Sequence, residues 1–434
     1  MKPFHSSHLL SFHSIARDLR EPSGASVCAP LSTDLIERIP QEIFDKIIAS
    51  GERSEPGNTQ LKAFSLVSHA WEESTRPVMF SYRLMTRDFV RFMSKDADEH
   101  ICTRILPYIR RASFRPDSVF SRISRSPTPT DVEEGLRTIV PRMKSLSALE
   151  FNLMEPELVG LLGSLCGSGA TSASIQTLDI EYISFSSFKQ FQDAIALFPG
   201  VQNLTLLRGW ESASVEDVQS CAHITPLRNL KTVEILPSES TSPDLLWLSR
   251  AGRSIQSLEV QITPSDVGAM SCFTRLEHLY LGFARVPRPE AIHGLLSGCR
   301  SLKTLQVTTP VDLIFHPFRR PSQPDGQGVQ PVSWCSELLS SITSPLTELT
   351  IKLQFDSETD LDIMDWQGLN TLLQSPTSGA SLKVLRICVQ GYIWRSTKAA
   401  CKPMFCRRVK GLQPGCRFIV NFWLDGLDYV FESD

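Results

Sequence analysis

The sequence predicts an α/β protein in which a small N-terminal helical domain precedes a curved repeat solenoid built on a parallel sheet. Two observations carry this prediction: a pair of short amphipathic segments between 39 and 80, and a brief apolar frame that recurs nine times between 146 and 392. With 434 residues, 41% of them hydrophobic, the chain can bury a substantial core and exceeds the usual size of one compact domain.

The two patterns divide the chain into four segments. The predicted segments are a flexible leader at 1–34, a helical domain at 35–85, a connecting helical segment at 86–145, and a solenoid at 146–434 with an insert near 318–333.

The first amphipathic segment begins with Ile39 and Pro40. Proline is tolerated in the first turn of a helix, where its missing N–H costs nothing. Glu42 lies in the same turn, where the helix dipole favours an anion. Ile43 and Ile47 follow at helical spacing, so the segment is predicted to be a short helix with one apolar stripe.

A second helix is predicted after the loop 51–58, which is rich in glycine, proline and asparagine. Thr59 is its expected N-cap, and Leu61, Phe64, Val67 and Trp71 recur at three- and four-residue spacing. Two helices this short do not bury enough surface to be stable alone. They therefore need a further helix, a neighbouring domain or a partner.

The pair of segments resembles the F-box, which reads Leu-Pro-x-Glu-Ile, spaced aliphatic residues, Val-Ser or Val-Cys, and then a tryptophan. Ile39 replaces the usual leucine, and the loop between the helices is longer than usual. The resemblance implies binding to a Skp-type adaptor that is joined to a cullin scaffold. The alternative is an ordinary helical hairpin with a core tryptophan. The residues that the resemblance assigns to adaptor binding are Ile39, Pro40, Glu42, Ile43, Ile47, Leu61, Phe64, Leu66, Val67, Ser68 and Trp71.

The repeated frame is apolar-x-x-apolar-x-apolar. Its central residues lie 21 to 29 residues apart over the first seven copies, starting with Leu149 and Leu178. The last two apolar residues alternate with period two, as in a strand, and the first turns the chain into the core. The nine copies begin at Leu146, Ile175, Val201, Leu230, Ile255, Leu276, Leu302, Leu346 and Leu382.

Helix-like segments separate these frames, for example 187–198 and 289–296. No single copy can bury its apolar face, so neighbouring copies must stack. An unrelated α/β domain is the alternative, but its parallel strands are usually longer apolar runs. The frames resemble irregular leucine-rich repeats of the kind found behind F-boxes, over residues 146–392.

Side chains that flank the last apolar residue of each frame are expected to point away from the core and to line one concave sheet. Their charge runs from acidic in the first repeats to basic in the last, which favours a target with a basic patch at the N-terminal half. The candidate target-binding residues are Asp179, Glu181, Glu234, Glu259, Gln261, Tyr280, Gln306, Thr308, Thr350, Lys352 and Arg386.

Composition narrows the function classes. The net charge of −3 gives no electrostatic footprint for nucleic acid, and no apolar run is long enough to span a membrane. Eleven scattered cysteines without a CxxC pair indicate a reducing compartment and no zinc site. Motifs of catalysis are absent. We therefore expect no catalytic residue, no metal, no cofactor, and a cytoplasmic or nuclear location.

The family resemblance implies a substrate-receptor subunit of an SCF-type E3 ubiquitin ligase, which holds a protein target near an external active site. Three alternatives remain open: a non-degradative adaptor, a repeat scaffold whose F-box has drifted, and a hydrolase whose dispersed triad leaves no sequence motif. The identity of the target does not follow from the sequence.

Overall fold

A computed structural model of the chain describes residues 75–115, 129–167, 175–183, 185–207, 227–236, 242–251, 253–262, 267–283, 289–308, 334–354, 364–376, 378–390, 403–422 and 427–432. The chain divides into two compact units, Met1–Leu149 and Glu150–Asp434. Of the predicted helical domain 35–85 the structure describes only residues 75–85, which include a short strand at Tyr82–Leu84. Residues 39–71, which carry the F-box resemblance, and the insert near 318–333 lie outside the described residues, so their predicted structures stay predictions.

The first unit contains two strands that precede the first predicted repeat. Strands β1 (Tyr82–Leu84) and β2 (Arg111–Phe114) pair in parallel. Helices α1 (Arg87–Arg91), α2 (Glu99–Ile105) and α3 (Pro129–Ile139) accompany them. The segment 86–145, expected to be a helical connection, therefore contains these helices and one strand.

Side chains cap the first two helices. The N–H of Phe89 donates to Oγ1 of Thr86 at 3.2 Å, and the N–H of Ile101 donates to Oδ1 of Asp98 at 2.8 Å. Each cap satisfies an N–H group that the helix itself leaves without an acceptor.

Strand β3 (Ala148–Asn152) contains the boundary between the units, and from β3 onwards the strands are hydrogen-bonded side by side in chain order. Strands β4 to β12 pair in parallel, and β13 closes the sheet antiparallel to β12. The strands are β4 (Thr177–Glu181), β5 (Asn203–Leu207), β6 (Thr232–Leu236), β7 (Ser257–Ile262), β8 (His278–Phe283), β9 (Thr304–Thr308), β10 (Glu348–Gln354), β11 (Val384–Gln390), β12 (Arg417–Phe422) and β13 (Leu427–Glu432).

A recurring pair of backbone hydrogen bonds helps to set the register at the start of most repeats. Two consecutive N–H groups donate to one carbonyl of the preceding repeat: those of Gln202 and Asn203 reach Gln176, at 2.8 and 2.9 Å. The next repeat does the same, with Lys231 and Thr232 donating to Gln202 at 2.8 and 3.0 Å. Because the pattern repeats, equivalent residues of neighbouring strands lie opposite each other.

The apolar frames form the core, as predicted. All nine occur on β3 to β11 or just before them, and each of their apolar residues is buried, none more than 5% exposed. The frame centres Leu178, Leu204, Val233 and Leu258 lie opposite one another in the register. The predicted α/β class and the parallel repeat sheet are therefore confirmed.

Helices occupy the connections between the strands. Right-handed crossovers are the rule for parallel strands, and a sheet in chain order then carries all its connections on one face. The helices described in the second unit include α4 (Pro156–Gly167), α5 (Phe188–Ala196), α6 (Ser242–Ser249), α7 (Val267–Met270), α8 (Pro289–Ile292), α9 (Trp334–Ser340) and α10 (Trp366–Leu373).

An aromatic cluster joins two of these helices. Trp247 on α6 packs edge-on against Phe191 on α5, with ring centroids 5.5 Å apart, and against Phe188 at 6.3 Å. Edge-to-face contacts of this kind add to the stabilisation that burial alone gives. Among the described residues, no helix is long and apolar enough to cross a membrane.

A candidate protein-interaction surface on the sheet

The sheet has a second face, which we call the polar face, made by the strand residues that alternate with the buried frame residues. On β7, for example, Leu258 and Val260 are buried, whereas Glu259 between them is exposed. The same alternation holds on β8, where Tyr280 is exposed between Leu279 and Leu281. Side chains of a strand point alternately to the two faces, so the polar face is the one opposite the core.

The register gathers the predicted target-binding residues into two rows of the polar face. The first row crosses eight strands and contains Asp179, Thr205, Glu234, Glu259, Tyr280, Gln306, Thr350 and Arg386. The second row lies two residues further along each strand. It holds leucines on β5 and β6, Leu207 and Leu236, and otherwise Glu181, Gln261, Gly282, Thr308, Lys352 and Cys388.

Most of the predicted residues offer surface to a partner. Glu259 and Tyr280 are exposed, and seven others are half-buried. Asp179 and Thr350 are only 7% exposed, so these two have little surface for contact even though they occupy the expected row. Period-two alternation gives the face of a side chain but not how far its neighbours on that face cover it.

The polar face also contains residues that were not predicted, among them Cys388 on β11. Glu150 and Asn152 flank the frame residue Phe151 on β3, and the alternation rule applied to that frame would have found them. Thr205 and Gly282 lie in the two rows defined above. Nothing about a threonine or a glycine in the sequence indicates a binding site, so these two residues are identified only by the strand pairing.

Carboxylates crowd the N-terminal half of the polar face. Burial raises the pKa of Glu234 above its usual range, and the nearby charges of Glu259, Asp179 and Glu181 raise it further. Glu181 on β4 accepts a hydrogen bond from Nδ2 of Asn152 on the adjacent strand β3. Like charges held on adjacent strands repel each other. A positively charged partner would relieve this repulsion and lower the free energy of the region.

The C-terminal half has the opposite sign. Lys352 lies on β10 and Arg386 on the adjacent strand β11. Both are half-buried. The polar face therefore runs from acidic to basic along the strand order, as the sequence predicted, and this polarity can orient a bound segment.

Two apolar side chains stand at the end of the acidic half, directly after β3 and β4. Leu153 and Tyr182 are 45% and 41% exposed and have positive φ angles of 55° and 53°. Their N–H groups donate to the next strand, to the carbonyls of Glu181 at 3.0 Å and Leu207 at 2.7 Å. The left-handed conformation costs a non-glycine residue about 1 kcal/mol, which these hydrogen bonds help to offset.

Other kinds of site receive no support from the described part of the chain. Within it, no group of three or more His, Cys, Asp or Glu side chains could hold a metal ion. The adaptor-binding residues predicted between Ile39 and Trp71 lie outside the described residues, so their positions are untested.

Comparison with known proteins gives no family. No protein-family model matches the sequence, and no curated protein matches it either. Among solved structures, the chain is similar to one from the complex of Rad7 and Elc1 in yeast, with 12% sequence identity and a TM-score of 0.33 over 85% of this chain and 96% of that one. At that score the likeness carries no argument about function.

Proposed function

We propose that this chain is a substrate-receptor subunit of an SCF-type E3 ubiquitin ligase. Residues 39–71 bind a Skp-type adaptor, which joins the chain to a cullin scaffold, and the polar face of the sheet binds a protein target. The single observation that supports target binding is the ordered pair of mainly polar rows on a parallel sheet. The adaptor-binding half rests on the sequence pattern between Ile39 and Trp71.

The polar face suits recognition because it is built on a fixed scaffold. Its side chains project from strands whose opposite sides are locked in the core, so little backbone order has to be gained on binding. A partner can recognise this face by its exposed Tyr280 and by its change from acidic to basic side chains. No residue of the chain takes part in the reaction, because the chain acts by holding the target close to an external active site.

The adaptor half is tested by co-expressing the full chain with a Skp-type adaptor and measuring co-elution in size-exclusion chromatography. The wild-type chain should elute with the adaptor. A Pro40→Ala/Ile43→Ala variant should lose it, because truncating interface anchors removes most of the binding free energy. A Glu290→Ala variant, altered at an exposed helical site in the repeats, should keep it. Undiminished adaptor binding by the double variant would contradict the assignment.

A drifted F-box would show no adaptor with the wild-type chain. A non-degradative adaptor would bind the Skp-type protein but bring no cullin with it. Adding the cullin to the same experiment separates these two outcomes from the proposed one.

A further inference from the structure

The central row of the polar face places two carboxylates beside an aromatic ring. Glu234 on β6 lies opposite Glu259 on β7, and Glu259 lies opposite Tyr280 on β8. Neighbouring strands are about 4.8 Å apart, so the three side chains follow one another within about 10 Å. All three project from the polar face, since the residues flanking each of them are buried in the core.

None of the three side chains is satisfied by the part of the chain that the structure describes. Glu234, Glu259 and Tyr280 make no hydrogen bond, ion pair or ring contact there. The pKa of Glu234 is raised, first by burial and then by its acidic neighbours, which is the direction that an uncompensated carboxylate takes. The nearest cations in the same two rows, Lys352 and Arg386, lie on β10 and β11.

The polar face has no side chain at one position on the same strand as Tyr280. Gly282 lies two residues after Tyr280, on the same face, with Gln261 opposite it on β7. The three atoms nearest to a Cβ added at Gly282 would all belong to Gln261, at 3.6 to 3.8 Å, which is ordinary van der Waals contact. The packing therefore does not require a glycine here, and its missing side chain leaves a notch on the polar face, two residues along β8 from Tyr280.

We propose that Glu234, Glu259 and Tyr280 bind an arginine side chain of the target, which stacks on the tyrosine ring and donates to the carboxylates, with its stem beside Gly282. A planar guanidinium both stacks on aromatic faces and donates several hydrogen bonds in a fixed fork. Lysine carries the same charge but lacks a planar group that can stack on the ring. This inference rests on the proposed function and deepens it, because it names the chemistry of the bound segment.

The occupant follows from charge complementarity. The acidic half of the face attracts a basic segment, whereas the basic half at Lys352 and Arg386 repels one. The bound segment is thus expected to carry its arginine over β6 to β8 and to be neutral or acidic where it crosses β10 and β11.

The test uses the full chain and three fluorescein-labelled nonapeptides, of arginine, of lysine and of citrulline, titrated by fluorescence anisotropy at physiological salt. Citrulline keeps the shape of arginine and removes its charge. We expect the arginine peptide to bind several-fold more tightly than the lysine peptide and the citrulline peptide not to bind.

Three variants locate the site. Glu259→Gln and Tyr280→Ala should each weaken binding of the arginine peptide about 5- to 10-fold. Gly282→Ala should weaken it about 3-fold by filling the notch, with an unchanged thermal midpoint. Two matched controls, Glu290→Gln in the helical layer and Tyr82→Ala in the first unit, should stay within 2-fold of the wild type.

Equal affinity of Tyr280→Ala and the wild type would overturn the proposal, as would a loss in Glu290→Gln equal to that in Glu259→Gln, since general attraction would then explain the binding. Adaptor co-elution is measured on the same preparations. Loss of arginine selectivity with the adaptor retained refutes this inference alone, and absence of the adaptor from the wild-type chain refutes the proposed function.

Discussion

The two faces of the same strands follow different rules. On the core face each repeat presents the same kind of residue at the same place, as Leu258, Leu279 and Leu305 do on consecutive strands. On the polar face the equivalent positions hold Glu259, Tyr280 and Gln306. The uniform face fixes the register and the stacking of the repeats, and the varied face is free to specify a partner. Variants placed on adjacent residues can separate these roles.

The largest expected difference is between the neighbours Leu279 and Tyr280. Leu279 is fully buried, so Leu279→Ala removes apolar contacts and leaves a cavity, at a cost of about 2–5 kcal/mol in the free energy of unfolding. Tyr280→Ala, on the polar face, should cost less than about 1 kcal/mol. Urea denaturation followed by circular dichroism measures both. Similar losses for the two variants would show that the polar face is also packed.

A second comparison uses two glycines. A Cβ at Gly298 would lie 2.6 Å from the backbone oxygen of Ser271 and 2.8 Å from its Cα, so Gly298→Ala forces the backbone to shift and should cost about 1–3 kcal/mol. Gly282→Ala on the polar face should change the unfolding free energy by less than about 0.5 kcal/mol. Thermal unfolding of both variants measures the difference. If Gly298→Ala were as stable as the wild type, the backbone around Ser271 would have to shift at little cost in free energy.

A third comparison concerns two glutamines of α5. Gln192 is 2% exposed, and neither Nε2 nor Oε1 has a hydrogen-bond partner in the described structure. Gln190, which is partly exposed, accepts from the N–H and Oγ of Ser186 at 2.7 and 2.9 Å. Because an unsatisfied buried amide is costly, Gln192→Met should stabilise the protein by about 1–2 kcal/mol. Gln190→Met should destabilise it by about 0.5–1 kcal/mol. Destabilisation by Gln192→Met, seen in the denaturation midpoint, would show that its amide is satisfied in solution.

The smallest expected effect is electrostatic. The pKa of Glu234 is raised in the folded state, so the folded state holds this proton more tightly than the unfolded state does. Stability from this group is present below its unfolded pKa and is lost as pH rises through the folded pKa. Glu234→Gln should therefore raise the melting temperature at pH 7, by roughly 1 °C because solvent screens a half-exposed group, and should have no effect near pH 4. A rise that persists at pH 4 would point to packing instead.

The sequence predicted the nine frames because leucine-type residues at fixed spacing have a direct physical meaning, burial on one side of a strand. It missed β1, β2 and β12, whose frames hold unusual residues. In the register, β1 has Arg83 at the central position, stacked 4.7 Å from the ring of Phe80, and β2 has Ala112 there. On β12, Gly415 occupies the first position of the frame, which is apolar in all nine predicted frames.

The polar face was harder to predict. Alternation identified the rows, but the burial of Asp179 and Thr350 depends on neighbours from other strands. The grouping of Glu234, Glu259 and Tyr280 depends on register across β6 to β8. These are relations between residues distant in the chain, and no local pattern records them.

The most direct test of the proposed function is quantitative affinity purification of three versions of the full chain from cells, followed by mass spectrometry. The versions are the wild type, Pro40→Ala/Ile43→Ala, and Glu181→Lys/Glu234→Lys. We expect the first variant to lose the Skp-type adaptor and the cullin but to keep the target proteins. We expect the second variant to keep the adaptor and the cullin but to lose the targets. Loss of the same proteins from both variants, or from neither, would contradict the proposed function.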